Sequence, residues 1–268
     1  MPTVRPPAVA GMFYPEEPRL LELEIRDFLT AAHPHKLTPK ALIVPHAGYI
    51  YSGPIAASAY ASLKDITPHI RRVVLLGPTH RVAVEGLALP DCDAFETPLG
   101  RIPLDREAME SITHLPQVVV SAAAHAQEHS LEVQLPFLQS VLGDFTLLPL
   151  AVGRATPQEV AEVLEMVWGG PETLIVVSSD LSHYLPYKTA QLIDGKTADD
   201  IVMLRQPVAH DQACGGTPIS GLIVLARKHH LTPHLLDLRN SGDTAGSHDQ
   251  VVGYAAFAFT GENDHDRQ

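Results

Sequence analysis

Three short polar motifs in this 268-residue chain each follow a run of aliphatic, β-branched residues. Pro45-His46-Ala47-Gly48-Tyr49 follows ALIV, and Gly77-Pro78-Thr79-His80 follows RVVLL. Ser178-Ser179-Asp180-Leu181-Ser182-His183-Tyr184 follows TLIVV. Neutral imidazole is a ligand for zinc, iron and copper, and a histidine beside open coordination positions can move protons. Any one of these histidines alone reads more readily as a polar loop residue. Three of them after three separate strands read as one shared site, because ligands in open α/β sheets bind just beyond the strands' carboxyl ends. That reading requires the three strands to be neighbours.

Two further segments could contribute. In Glu128-His129-Ser130-Leu131-Glu132, His129 and Glu132 would share a helix face, with Leu131 and Leu135 turned to the core. The segment is not HExxH, so the zinc-protease motif is absent. His129 reads equally as a site residue or as part of an acidic first turn, and Glu132 reads better as structural. In Asn240-Ser241-Gly242-Asp243-Thr244-Ala245-Gly246, two glycines flank Asp243 in a tight loop. Asp243 is either a carboxylate ligand or an ordinary turn residue. Cys214, in Ala-Cys-Gly-Gly, could be a thiolate nucleophile. A small buried residue at a helix start is the better reading. Ser178, Asp180 and His183 lack the GxSxG elbow of a serine hydrolase, and Gly215-Gly216 lacks a phosphate-loop lysine.

Alternating elements must position these residues. Strand-like runs occupy 41–45, 72–77, 146–152, 173–179, 234–238 and 252–259, and most are apolar enough to be covered on both faces. Helical patterns lie between them. Leu21, Ile25, Phe28 and Leu29 mark one over 17–30. Leu131, Leu135, Leu138 and Leu142 mark another, which Pro136 must kink or interrupt. Residues 157–168, 187–205 and 218–229 also read as helices, with His229-His230 as a polar C-terminal turn. This alternation predicts an α/β fold, a mostly parallel or mixed sheet with helices on both faces. One domain over 1–262 is expected, with 263–268 as a disordered tail.

Composition narrows the partners. The net charge of −12 repels phosphate backbones and anionic membranes, so no nucleic acid and no membrane partner is expected. No apolar run reaches signal-peptide length near the start or the ~18 residues of a membrane span anywhere. Two distant cysteines, Cys92 and Cys214, suit a reducing cytoplasm better than a disulfide framework.

Taken together, the motifs resemble the Memo family, the Memo component of the AMMECR1–Memo–radical-SAM set. The matching pieces are Ala10-Gly11-Met12-Phe13-Tyr14, PHAGYIYSG (45–53), LGPTH (76–80), TPLG (97–100), EHSLEVQLPFL (128–138), SSDLSHY (178–184), ACGGTPI (213–219), NSGD (240–243) and VVGYAA (251–256). The resemblance implies an α/β/α sandwich like that of class III extradiol dioxygenases of the LigB type. It implies that His46 and His80 are metal ligands, that His183 is an acid/base, and that Asp180 lines the pocket, with His129 as a further catalytic candidate. Vertebrate members carry a cysteine where this chain reads Ser-Gly-Asp-Thr, so Asp243, or Thr244 one residue on, is the expected third ligand. A site of two histidines and a carboxylate suits Fe(II), with copper or zinc as alternatives. The expected activity is redox or dioxygenase-like chemistry on a small, aromatic substrate, with AMMECR1-like and radical-SAM proteins as partners. The rivals are a module that binds phosphotyrosine peptides in the same pocket and a metal-dependent hydrolase. The first would need arginines, and only Arg81 and Arg101 stand near.

Overall fold

A computed structural model describes residues 3–33 and 35–261, so the expected tail at 263–268 lies outside the described residues. Six main strands build the central sheet: β1 (Pro39–Val44), β2 (Arg72–Pro78), β3 (Thr146–Val152), β4 (Thr173–Ser178), β5 (Thr232–Asn240) and β6 (Val251–Thr260). Its heart is parallel, in the order β1, β4, β2, β3. Antiparallel β6 flanks β1, and β5 and the short strand His183–Leu185 both pair with β6. On the other side, Leu87–Leu89 runs antiparallel to β3 and Val118–Val120 completes nine strands. A separate small sheet joins Val4–Arg5, Ala94–Thr97 and Gly100–Pro103.

Each parallel strand sends alternate side chains to opposite faces, as the two-residue period of a strand requires. Leu42, Val44, Val73, Leu75 and Val176 face one helical layer. That layer contains α1 (Pro18–Ala31), α2 (Tyr49–Ala61) and the helix Leu135–Val141. Ile43, Val74, Leu76, Leu150 and Val177 face the other. It contains α3 (Pro157–Met166), α5 (Gly216–Lys228) and the end of α4 (Tyr187–Val202). The molecule is thus the three-layer α/β/α sandwich expected from the alternation, with a mixed sheet. No helix among the described residues is long and apolar enough to cross a membrane.

Local chemistry explains the helix ends. Glu17 caps α1 by accepting the Leu20 amide at 2.8 Å, and Pro18 takes the first helical position, where no amide is needed. Pro136 does more than kink the expected helix. The chain divides into His129–Glu132 and Leu135–Val141, and the proline sits in the first turn of the second piece. Helix α2 was not legible from periodicity. Ser52, Gly53, Ile55, Ala56, Ala57, Ser58, Ala59 and Tyr60 are all buried, so it shows no apolar stripe against a polar face.

The turn His129–Glu132 lies directly over the end of β2. A Cβ added at Gly77 would stand 2.6 Å from Ser130 Oγ and 3.0 Å from Leu131 Cδ2. Gly77→Ala should therefore cost about 1–3 kcal/mol by overpacking, read from urea unfolding. Wild-type stability in that variant would refute the close approach.

Candidate metal centre

The three strands that precede the polar motifs are neighbours. β4 lies between β1 and β2, paired in parallel with both. Val44 pairs with Ser178, and Leu76 with Val177, so the three strands end at one level. The loops that follow bring His46 and His80 together, and the turn over β2 brings His129 to them. One nitrogen of each ring lies within 4.8 Å of the others. Ring centroids are 5.3 Å apart for His46 and His80, 5.4 Å for His46 and His129, and 4.6 Å for His80 and His129.

Hydrogen bonds fix which nitrogens face inward. Ser178 Oγ donates its single proton to the Ser130 carbonyl at 2.6 Å and accepts from Gln134 Nε2 at 2.8 Å. Toward His46 Nδ1, 2.9 Å away, it can only accept. His46 therefore carries its proton on Nδ1 and keeps a lone pair on Nε2. His80 Nδ1 meets Glu128 Oε1 at 2.8 Å, and an ionised carboxylate only accepts, so His80 carries a proton on Nδ1. Glu128 also takes the His80 amide at 2.6 Å and the Ser130 amide at 2.9 Å, capping the turn that carries His129. His129 Nδ1 stands 3.5 Å from the same carboxylate. Ring nitrogens held from behind by carboxylate or hydroxyl groups are the usual second layer of a histidine metal site.

Burial sets the charges. His46 is held well below the usual histidine range, first by burial and then by the neighbouring His129, His80 and His183. His129 is lowered to about 4, again mainly by burial, with His80 adding to it. Both imidazoles are thus neutral at pH 7, as metal ligands must be. Burial alone would raise Glu128, but its bonds from His80 and Ser130 outweigh that and bring it down to about 2.

His183 lies close enough that its charge would oppose protonation of His46, and burial lowers its own pKa. Asp180 is buried and accepts the His46 amide at 2.7 Å. Burial pushes its carboxyl up to about 7 against the bonds from His46 and Ala47. Tyr184 next to His183 has φ of 57° and is 69% exposed, an unfavourable backbone for a tyrosine held at the rim.

Asp243, expected as the third ligand, is not part of this group of three histidines. Its carboxylate accepts the Tyr187 hydroxyl and, at 2.8 Å, the Asn240 amide, and so closes its own exposed turn. Thr244 Oγ1 donates to the Ser241 carbonyl at 3.2 Å and is not in the group either. His129, expected as a catalytic residue, is the third member of the group that could hold a metal ion. Cys214 is buried, with Sγ 3.4 Å from His46 Nε2, and burial pushes its thiol up to about 12, which suits no nucleophile. Sequence reasoning missed Ser178, Gln134 and Glu128 as supports. The signal for Glu128 was its place just before His129, where a helix cap belongs.

Comparison with known proteins agrees with this architecture. The family model described as Memo-like protein matches residues 5–258. A MEMO1 family protein of Aquifex aeolicus is 38% identical over 96% of this chain and 99% of its own. One of Methanosarcina barkeri is 36% identical over 95% and 99%. The crystal structure of an uncharacterized protein from Escherichia coli K12 has a TM-score of 0.52 at 12% identity, covering 82% of this chain and 99% of that one, which bears on the fold alone. The chain belongs to the Memo family.

Proposed function

We propose that this protein is a metal-dependent enzyme with redox, dioxygenase-like chemistry on a small aromatic substrate. The observation that carries the reading is the group of three histidines with one nitrogen of each converging, while the Nδ1 atoms of His46 and His80 are held from behind. Neutral imidazoles suit iron, copper and zinc, so the donor set fits a divalent metal. His46, His80 and His129 would hold it. When bound, Fe(II) would supply a centre that takes up two reactants and exchanges charge with them.

The chain's own residues do the rest. His183, uncharged at neutral pH, can accept a proton from a phenolic hydroxyl. Asp180 fixes the His46 backbone from below. Met12, Ile50 and Tyr184 are exposed in the segments that border the site, and they offer an apolar edge to an aromatic ring.

One observation favours a second reading. Three histidines without a carboxylate form the donor set of some catalytic zinc sites, so the iron argument that rested on Asp243 no longer applies. Zinc-dependent hydrolysis uses the same residues, with a water activated in place of O₂.

Elemental analysis of untagged protein purified without oxygen separates these readings. Near-stoichiometric iron supports the redox enzyme and zinc supports the hydrolase. No metal, even after anaerobic Fe(II) addition, defeats both and favours a ligand-binding module. His46→Ala and His80→Ala should each lose the metal yet melt within a few degrees of wild type. Collapse of folding in both would make them core residues. His183→Ala should keep metal and lose turnover, and metal loss there would make it a ligand.

The neutral imidazoles also set a pH dependence in metal-free protein. His46, His125 and His129 have folded pKa values below the unfolded value, the latter two at about 4. Between about pH 6.5 and 4 the unfolded chain binds more protons at these three sites, so they lower stability as pH falls, and the raised carboxyl of Asp180, protonated in the folded state over the same range, offsets about one of them. The expected slope is about 1.4 kcal/mol per pH unit for each such histidine, measured by urea unfolding with chelator present. The Glu128 contribution is lost only in a lower window, from about 4.5 down to about 2. A flat profile from pH 7 to 5 would contradict buried neutral imidazoles.

A further inference from the structure

Two of the three histidines depend on the segment 125–132. Glu128 holds His80 by backbone and ring, and His129 is the next residue. What shapes that segment lies at the far end of the sequence. Arg5 is buried, and its guanidinium donates along three directions into it. Nε bonds the His125 carbonyl at 2.8 Å, Nη2 bonds the Glu128 carbonyl at 2.8 Å, and Nη1 bonds Glu132 Oε2 at 2.6 Å. The carbon of the guanidinium lies 5.0 Å from the Phe95 ring centre, which fixes the plane of the fork.

Glu132 is fully buried and gathers the rest of the N-terminal segment onto the same turn. Its carboxylate accepts the Ala8 amide at 2.8 Å, the Val9 amide at 3.0 Å and the Tyr14 hydroxyl at 2.6 Å. Phe13, carried by that segment, sets its ring 4.8 Å from that of His129. The Phe13 carbonyl accepts the Tyr49 amide at 2.8 Å, which ties the segment to α2 just after His46.

We propose that Arg5 is a positioning residue for the metal group, holding Glu128 and His129 in place through the His125 and Glu128 carbonyls and the Glu132 carboxylate. The fork spans both ends of the segment, so it fixes its curvature as well as its contact with the core. Lysine cannot replace it, because an ammonium on a flexible stem does not present three fixed donor directions. His46 hangs from β1 and meets this segment only at second hand, through the Ser178 hydroxyl that donates to the Ser130 carbonyl. The inference rests on the metal reading for its function but has a readout that does not.

The test compares wild type with Arg5→Lys and with Arg5→Met/Glu132→Leu. The double variant removes the buried pair together, which leaves no unpaired charge and keeps the protein foldable. Cobalt(II) alone is titrated anaerobically, well below the melting temperature, and followed by its visible bands. Loss of outer supports of metal ligands weakens binding about 10- to 100-fold, and that loss is expected in both variants, with altered bands. In metal-free protein, NMR of labelled histidines should show His80 and His129 changed in tautomer or ring environment, and His46, reached only through Ser178, changed less. Wild-type cobalt affinity and unchanged His80 and His129 signals in the double variant would overturn the proposal. Equal changes in all three histidines would also overturn it, since that is general destabilisation. If wild type itself takes up no cobalt, the metal reading fails, and the histidine signals alone decide for or against Arg5.

Discussion

The placement of β4 between β1 and β2 is the constraint on which the rest of the molecule depends. Parallel pairing on both sides brings three strand ends to one level, and three loops leave from the same edge. The central strand contributes more than spacing. Its last residue, Ser178, reaches the His46 ring on one side and the Ser130 carbonyl on the other. Because a hydroxyl has one proton, the bond to Ser130 dictates the tautomer of His46. A feature of sheet order thus becomes a statement about which nitrogen faces the pocket. Had another strand intervened, a gap of about 4.8 Å would have opened between the loops.

Most of the fold could be read from the sequence because the strands are apolar on both faces and the helices are amphipathic. Runs such as RVVLL and TLIVV have few alternatives to a covered strand. What escaped shares one property, the lack of a local pattern. Helix α2 buries nine of its 13 residues with no polar stripe, and the strands at 87–89 and 118–120 are three residues each, too short to carry a periodicity. In the site, His46 and His80 were legible because each ends a strong strand run. His129 was ambiguous because its helix is a single turn. Asp243 drew notice because its glycine-flanked loop suggested an approach to a ligand, and in the structure its carboxylate is bonded to Tyr187 and to the Asn240 amide of its own turn. The Arg5–Glu132 pair joins residues 127 positions apart, and no spacing rule reaches so far.

The supports show how a buried polar site can be maintained. An uncompensated polar group in the interior costs several kcal/mol, so each must be matched. Here the match is selective. His46 and His80 have Nδ1 bonded, Glu128 has three donors, and Gln134 reaches the Pro45 carbonyl and Ser178 at once. The inward nitrogens are the atoms left for a ligand. Burial also keeps His46 and His129 unprotonated, for His129 against the pull of the neighbouring Glu128, so their lone pairs are available at neutral pH.

A donor set of His46, His80 and His129 would differ in charge from the expected pair of histidines with Asp243. Two histidines and a carboxylate would bring one negative charge into direct contact with a cation, whereas three imidazoles bring none. The negative charge is nonetheless present, one hydrogen bond further out. Glu128 is ionised, buried and bonded to His80 Nδ1, and a carboxylate in that position makes the imidazole a stronger donor. Asp180 is the other nearby carboxylate, and burial holds it near the point where it is half protonated. A divalent cation at the histidines would draw Asp180 toward its ionised form, as any nearby positive charge does.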